Sequence, residues 1–135
     1  MKYLKKYNEN NYLSEDGKKF DCSNQNLSEL PFIPKTVERL YCGNNNLKEL
    51  PRLPKGLKKL SCDNNFLSEL PELPKGLKIL WCYNNKLKEI PRLPKGLKYL
   101  YCWDNNLPYK DLEGYWEWFY KENPDLGEAE KMGLF

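Results

Sequence analysis

The feature that most constrains this chain is a pattern that recurs every 20 residues. In each unit a cysteine is followed three residues later by an amide side chain and five residues later by a leucine. The cysteines that mark these units are Cys22, Cys42, Cys62, Cys82 and Cys102. A fixed period of this length predicts a solenoid, in which each unit buries its apolar side chains against its neighbours.

Apolar residues precede each cysteine at constant spacing and complete the repeat. In the second unit the pattern consists of Val37, Leu40, Cys42, Asn45 and Leu47. It resembles the leucine-rich repeat, with cysteine in place of the usual third leucine. The first unit departs from it, with Gly17 and Phe20 at the leading positions and Gln25 in place of asparagine. A departure at the end of an array is typical of a capping unit.

The 20-residue period and the Leu-Pro-x-Leu-Pro segment narrow this resemblance. Both features are similar to the short repeats of bacterial effector proteins and of giant DNA viruses of amoebae, over residues 17–107. The resemblance implies a leucine-rich-repeat solenoid whose concave face is a parallel β-sheet of about five strands. It also implies a binding scaffold. Many of these effectors carry a ubiquitin-ligase domain after the repeats, but the residues after position 107 are too few for one, so the resemblance is expected to extend to the scaffold and not to the enzyme.

The residues themselves favour the same architecture. Side chains around Leu40 and Cys42 alternate between inward and outward positions, which is the period of a β-strand. Pro51 and Pro54 restrict φ and remove two backbone donors, so this return segment is expected to run as polyproline II on the convex side. Gly56 is then expected to turn the chain into the next strand, while asparagine amides satisfy backbone groups in the turn after each strand.

Four segments are predicted along the chain. They are an N-terminal cap (1–16), the leucine-rich repeats (17–107), a C-terminal helical cap (108–124) and a tail (125–135). In the first segment, Tyr3, Leu4 and Tyr7 have helical spacing. Caps of this kind are expected because an array of stacked units otherwise leaves apolar ends open.

An aromatic helix is predicted to seal the last repeat. Its apolar face consists of Leu112, Tyr115, Trp116, Phe119 and Tyr120. Asp111 is placed to cap its start, and Pro124 lies just beyond its end. Trp118 falls outside this face and is expected to be exposed. The tail has weak helical character and no strong assignment.

All five cysteines are predicted to be buried, reduced thiols. Equivalent residues on adjacent parallel strands lie ~4.8 Å apart, so the cysteines form a ladder. Their side chains then run parallel and do not converge as a disulfide requires. Metal sites use closely spaced ligand pairs, which a 20-residue spacing does not provide. A redox or metal role for the ladder is the alternative.

Composition argues against catalysis and cofactors. The chain has no histidine, which is the commonest general base, and its glycines occur singly, without a phosphate-binding loop. We therefore expect no catalytic, cofactor-binding or metal-binding residues.

Charge and hydropathy bear on partners and location. The net charge is only +3, which predicts no nucleic-acid partner. The absence of a run of about 18 apolar residues predicts no membrane span. The N terminus lacks the features of a secretory signal, so a cytoplasmic location is expected, in the host cytoplasm if the chain comes from a virus or pathogen.

Function is expected at the positions that point outward from the strands. In the first three units these positions are mostly small or charged, whereas in the last two they are apolar or aromatic. The candidate partner-binding residues are Tyr41, Ile79, Trp81, Tyr83, Tyr99, Tyr101 and Trp103. Tryptophan and tyrosine are common anchors of protein interfaces. Two other roles stay open: cross-strand stabilisation of the sheet, or cover by Met132, Leu134 and Phe135 of the tail.

The sequence therefore favours a non-catalytic protein–protein interaction module that binds an unidentified protein or peptide through its concave face. Carbohydrate binding is the main alternative, because flat aromatic rows also accommodate sugar rings and Ser61, Asp63 and Asp104 are polar neighbours. Self-association, with two aromatic faces paired across a two-fold axis, is the third hypothesis.

Overall fold

Five short parallel strands form the sheet of this molecule. The computed structural model describes residues 11–131, and the side chains of residues 11–127. The strands are β1 (Lys19–Asp21), β2 (Arg39–Tyr41), β3 (Lys59–Ser61), β4 (Ile79–Trp81) and β5 (Tyr99–Tyr101). They lie side by side in chain order, and each pairs in parallel with the next at a 20-residue offset. The predicted solenoid, with a parallel sheet on one face, is confirmed.

The strand register places equivalent positions of all units in the same layer of the core. Phe20 pairs with Leu40, and Leu40 pairs with Leu60. All three side chains are fully buried, as are their counterparts in later units. The third unit also buries Leu57, Cys62, Leu67, Leu70 and Leu73. The core is therefore a continuous stack of equivalent layers.

The segment that leads from each strand to the next contains neither helix nor strand. In the second unit it includes Pro51 and Pro54, which prevent helical hydrogen bonding. A turn closes it, in which the N–H of Leu57 donates to the carbonyl of Pro54 at 3.1 Å. Gly56 lies in this turn as expected, although its φ is not in the left-handed region.

Left-handed backbone occurs instead in the turn after each strand. Asn44, Asn64 and Asn84 have φ values of 55°, 54° and 54°, and Asp104 takes the same conformation in the last unit. Asparagine and aspartate tolerate this region better than most other side chains. The repeated asparagine at this position is therefore explained by backbone geometry.

A second asparagine is buried in the second, third and fourth units, where it joins neighbouring units. The amide nitrogen of Asn65 donates to the carbonyls of Cys42 and Cys62, each at 3.1 Å. Its oxygen accepts from the N–H of Leu47 at 3.0 Å. Asn85 makes the equivalent bonds one unit later. This asparagine ladder satisfies backbone groups that the tight turn would otherwise bury without partners.

The first unit has its own local solution. Gly17 adopts a φ of 74°, and its carbonyl accepts a hydrogen bond from the Thr36 hydroxyl at 2.7 Å. A leucine at this position would be strained, which explains the departure from the repeat. The residues before it, 11–16, bring Leu13 into an antiparallel bridge with Phe20, and Leu13 is buried. The predicted helical spacing of Tyr3, Leu4 and Tyr7 lies outside the described residues.

The predicted C-terminal helical cap is present as helix α1 (Leu112–Glu122). The Asp111 carboxylate caps it by accepting from the N–H of Gly114 at 2.9 Å. Tyr115 and Phe119 are buried against the last unit, and the Tyr115 hydroxyl accepts from the N–H of Leu93 at 3.2 Å. The helix thus covers the open end of the core with aromatic rings.

The prediction that Trp118 is exposed is wrong. Its side chain is half-buried, with its ring centroid 5.2 Å from that of Tyr109 and 6.0 Å from that of Tyr115. Tyr109 is itself buried and reaches the helix from the segment that precedes it. Helical spacing alone did not reveal this extra neighbour, which widens the apolar face of α1.

A second helix, α2 (Pro124–Lys131), occupies part of the segment predicted as an unassigned tail. Pro124 begins this helix as well as following α1, because proline at the first turn removes an N–H that has no intrahelical acceptor. Gly127 allows close contact with α1, since an added Cβ would lie 3.0 Å from Cδ1 of Tyr120. The tail residues Met132, Leu134 and Phe135 lie outside the described range.

Candidate interaction surface

Six of the seven candidate residues form one group at the C-terminal end of the sheet. We call this group, Ile79, Trp81, Tyr83, Tyr99, Tyr101 and Trp103, the aromatic patch. The register pairs Ile79 with Tyr99 and Trp81 with Tyr101. Two residues beyond these strands, the rings of Tyr83 and Trp103 are stacked, with centroids 4.6 Å apart and planes 15° from parallel.

Four rings of the aromatic patch contact one another in a continuous series, which runs from Trp81 through Tyr101 and Trp103 to Tyr83. Trp81 and Tyr101 have centroids 5.9 Å apart, and Tyr101 and Trp103 have centroids 5.2 Å apart. Tyr99, Tyr101 and Trp103 expose 54%, 37% and 40% of their surface, whereas the side chains from the fourth unit are half-buried. The patch therefore consists of a half-buried row on the fourth unit and an exposed row beside it on the last unit.

Tyr41 lies apart from this series. The register places Ser61 between Tyr41 and Trp81, so the two rings are two strands apart. A lysine bridges them: the ammonium of Lys59 is 4.9 Å from the Tyr41 centroid and 3.9 Å from the Trp81 centroid. Both distances are within the range of cation–π attraction. The repeat pattern marks position 59 only as a charged outward position and gives no indication of this contact.

A buried carboxylate lies next to the patch, in the third unit. Asp63 is only 4% exposed, and it accepts from the Ser61 hydroxyl at 2.7 Å and from the Asn64 amide at 3.0 Å. Gly43 in the neighbouring unit provides the space, because an added Cβ would lie 3.0 Å from a carboxylate oxygen. Burial, the Asp63 charge and a hydrogen bond with Asp63 raise the pKa of the Tyr83 hydroxyl. Asp63 therefore holds the ring of Tyr83 in the stack.

One polar group in the patch has no partner. The indole Nε1 of Trp81 is buried and lacks a hydrogen-bond acceptor among the residues that the structure describes. A buried donor without an acceptor costs about 1–3 kcal/mol. Such groups are rare in folded proteins, and this one lies at the centre of the candidate surface.

The cysteine ladder offers no reactive group at this surface. All five cysteines are buried and free of disulfides. Burial raises the pKa of the Cys22 and Cys102 thiols to about 12, and it raises those of the other three further. At neutral pH these thiols are protonated, so they are weak nucleophiles and weak metal ligands.

Neither a metal cluster nor a membrane span appears in the described part of the chain. No group of three or more His, Cys, Asp or Glu side chains in residues 11–127 is arranged to hold a metal ion. Helices α1 and α2 are too short and too polar to cross a membrane.

Several solved structures share this fold. The leucine-rich repeat domain of a Shigella effector matches with a TM-score of 0.63 and 39% identity, over 64% of this chain and 40% of that one. YopM from Yersinia enterocolitica matches with a TM-score of 0.60 and 41% identity, over 62% of this chain and 18% of that one. The leucine-rich effector YopM from Yersinia pestis matches with a TM-score of 0.61 and 27% identity, over 78% of this chain and 43% of that one.

This chain thus spans less than half the length of each of these three proteins. No protein-family model and no curated protein matches it. The shared fold, the sequence identity of up to 41% and the 20-residue offset between paired strands nevertheless all indicate the same type of repeat. The chain therefore has the leucine-rich-repeat fold, built from short units of 20 residues, and is similar in fold to the repeat domains of these bacterial effectors.

Proposed function

We propose that this chain is a non-catalytic interaction module that binds a protein or peptide through the aromatic patch on its concave face. The observation that carries the proposal is the exposed row of Tyr99, Tyr101 and Trp103, which packs beside the half-buried rings of the fourth unit. Contiguous exposed apolar surface of this kind usually marks an interaction site. Solenoids generally use their concave surfaces for binding.

The packing of the patch favours tight binding. Tyr83 is fixed by its stack on Trp103 and by Asp63, while Trp81 is held between Tyr101 and the Lys59 ammonium. Rings that are ordered before a partner arrives lose little side-chain entropy on binding, which otherwise costs about 0.5–1.5 kcal/mol per side chain. Large, rigid aromatic residues also dominate the energetics of many protein interfaces.

Carbohydrate binding receives less support from the geometry. A sugar site needs free polar groups beside the aromatic rings. Ser61 and Asp63 are buried and bonded to each other at 2.7 Å, so they do not present free groups to a ligand. Asp104 is exposed, but it belongs to the turn beyond the last strand.

A cytoplasmic location is part of the same proposal. The five unpaired thiols support it, because disulfides rarely persist in reducing compartments and free cysteines are common there. The similar structures are those of bacterial effectors, which supports a binding role in the cytoplasm of a host.

The double substitution Trp81→Ala and Trp103→Ala tests the proposal. Wild type, this variant and a control with Phe32→Ala and Phe66→Ala are used for affinity capture from native cytosol, glycan-array binding and light scattering. The control removes two exposed aromatic rings that lie outside the sheet. Circular dichroism verifies that all three proteins are folded.

We expect a captured protein to be lost with the tryptophan variant and retained with the control. If capture persists unchanged in the tryptophan variant, the proposal is wrong. If the tryptophan variant loses a glycan-array signal and no captured protein, the carbohydrate alternative is established. A wild-type dimer that becomes a monomer in the tryptophan variant would establish self-association.

A further inference from the structure

Positive charge is concentrated along the edge of the sheet where the strands begin. The first residues of the five strands form one column, and the residues that precede them form a second column, which makes ten positions in all. We call their charged members the basic edge: Lys18, Lys19, Glu38, Arg39, Lys58, Lys59, Lys78 and Lys98. These ten positions have a net charge of +6, whereas the whole chain has +3, so all remaining residues together carry −3.

The sheet holds these charges close together. The register pairs Lys19 with Arg39 and Arg39 with Lys59. In the other column, the N–H of Lys78 donates to the carbonyl of Lys58, and the N–H of Lys98 donates to that of Lys78, each at 2.8 Å. Neighbours in a column are therefore ~4.8 Å apart at the backbone. This spacing is shorter than the screening length of about 8 Å at physiological salt, so the charges repel one another.

Part of this charge is neutralised within the molecule and part is not. Glu38 lies 3.1 Å from the ammonium of Lys58 and 3.8 Å from that of Lys18. Among residues 11–127, neither Lys78 nor Lys98 has an acidic side chain within ion-pair distance. In the column of Lys18, Glu38, Lys58, Lys78 and Lys98, the charge without an acidic partner therefore lies at the end nearest the aromatic patch.

The basic edge and the aromatic patch meet at one place. A shallow depression of about 250 Å³ lies here, and its lining consists of Lys18, Glu38, Arg39, Lys58, Lys59, Lys78 and Ile79. Ile79 belongs to the aromatic patch, and Tyr99 lies beside it in the next strand. Cationic and apolar groups thus face the same depression, a few residues apart along the strands.

We propose that the partner segment bound by this face is acidic and contains aromatic or large apolar residues. Its carboxylates lie along the basic edge, and its apolar side chains lie on the aromatic patch. This inference rests on the proposed function and specifies the chemistry of the partner. It follows from charge complementarity, which steers partners and sets their register.

The same geometry argues for a peptide and against a nucleic acid. The positive columns occupy one edge only, whereas exposed Asp21 and Asp104 lie at the opposite edge or in the turn beyond it. A polyphosphate that covered the whole face would meet these carboxylates. An acidic peptide can instead turn its charged side toward the lysines and its apolar side toward Tyr101 and Trp103.

A labelled copolymer of glutamate and tyrosine is the probe that tests this inference. Its binding to the full chain is measured by fluorescence anisotropy at about 0.05 M and about 0.5 M salt. Polyglutamate and an oligothymidylate of about 20 nucleotides serve as polyanions without an amino-acid aromatic ring. The test variant is Lys78→Glu with Lys98→Glu. The matched control is Lys48→Glu with Lys88→Glu, which makes the same charge change at exposed positions outside the basic edge.

We expect wild type to bind the copolymer more tightly than either other polymer, and more weakly at high salt. The test variant should bind it about ten-fold more weakly at low salt, and the control less than about two-fold more weakly. Equal losses in both variants would overturn the inference, because only net charge would then matter. If the oligothymidylate binds more tightly than the copolymer and this binding is lost in the test variant, the partner is a nucleic acid and not an acidic peptide.

Two further outcomes separate this inference from the proposed function. If Trp81→Ala with Trp103→Ala abolishes copolymer binding while the lysine variant does not change it, the aromatic patch binds peptides and the basic edge plays no part. If wild type does not bind the copolymer at all, the inference is wrong. Affinity capture with the tryptophan variant then still decides the proposed function on its own.

Discussion

Replacement of Asn65 by alanine probes how neighbouring repeats are joined. The change removes the acceptor of the Leu47 N–H, which is in the fully buried part of the core. It also removes one of the donors to the carbonyls of Cys42 and Cys62, although these keep the bonds from Asn45 and Asn85, respectively. An orphaned buried N–H costs about 1–3 kcal/mol, and the two lost donors add roughly 0.5 kcal/mol each. We expect the free energy of unfolding to fall by about 2–4 kcal/mol.

Urea unfolding followed by circular dichroism measures this loss. Asn106→Ala is the matched control, because Asn106 is exposed and only its backbone N–H is hydrogen-bonded to the neighbouring unit. The control should change stability by less than about 0.5 kcal/mol. Since domains of this size are stable by only about 5–15 kcal/mol, the Asn65 variant should show a clearly lower midpoint. Equal midpoints for the two variants would refute the view that the asparagine ladder holds the solenoid together.

Four further substitutions test other parts of the structure by the same unfolding measurement. Gly43→Ala should destabilise by about 1–3 kcal/mol, because its Cβ would lie 3.0 Å from the neighbouring carboxylate. Gly76→Ala, with no atom within 4 Å of its Cβ and no left-handed φ, should be neutral or stabilising; similar losses for both would contradict this. Burial raises the pKa of the Cys62 thiol well above its ordinary value of 9.0. As the pH rises, the thiol therefore loses its proton at a lower pH in the unfolded chain than in the folded one. Stability should therefore fall as the pH rises above 9.0, and Cys62→Ala should make that fall shallower by up to about 1.4 kcal/mol per pH unit; an unchanged slope would show that the thiol is not the cause. Tyr115→Phe should cost about 1–3 kcal/mol by leaving the Leu93 N–H without its acceptor, and a neutral result would mean that the helical cap does not depend on this bond.

The sequence predicts the core and the register because the repeat places every unit in the same environment. Leu60 lies between Leu40 and Leu80, so a residue type that suits one layer suits the next. The same logic identifies the outward positions, including the aromatic residues of the fourth and fifth units. Both results depend only on the period, which is visible without any knowledge of side-chain contacts.

Contacts between unlike residues could not be predicted in this way. Lys59 lies over Trp81, and Asp63 fits beside Gly43, because different units supply different side chains at equivalent positions. Trp118 is half-buried because Tyr109 reaches it from outside the helix. Each of these contacts depends on the geometry of two particular neighbours, and a periodic pattern carries no information about such pairs.

The central claim is that partners bind the concave aromatic patch and not another surface of the solenoid. A photoreactive benzoyl-phenylalanine placed at Tyr101, in cells that contain the native partner, tests this claim most directly. The same group at Phe32 is the control, since that ring is 60% exposed and lies outside the sheet, whereas Tyr101 is 37% exposed within it. We predict a covalent protein adduct from position 101 and none of that mass from position 32. An adduct from position 32 alone would contradict the assignment of the concave face as the binding surface.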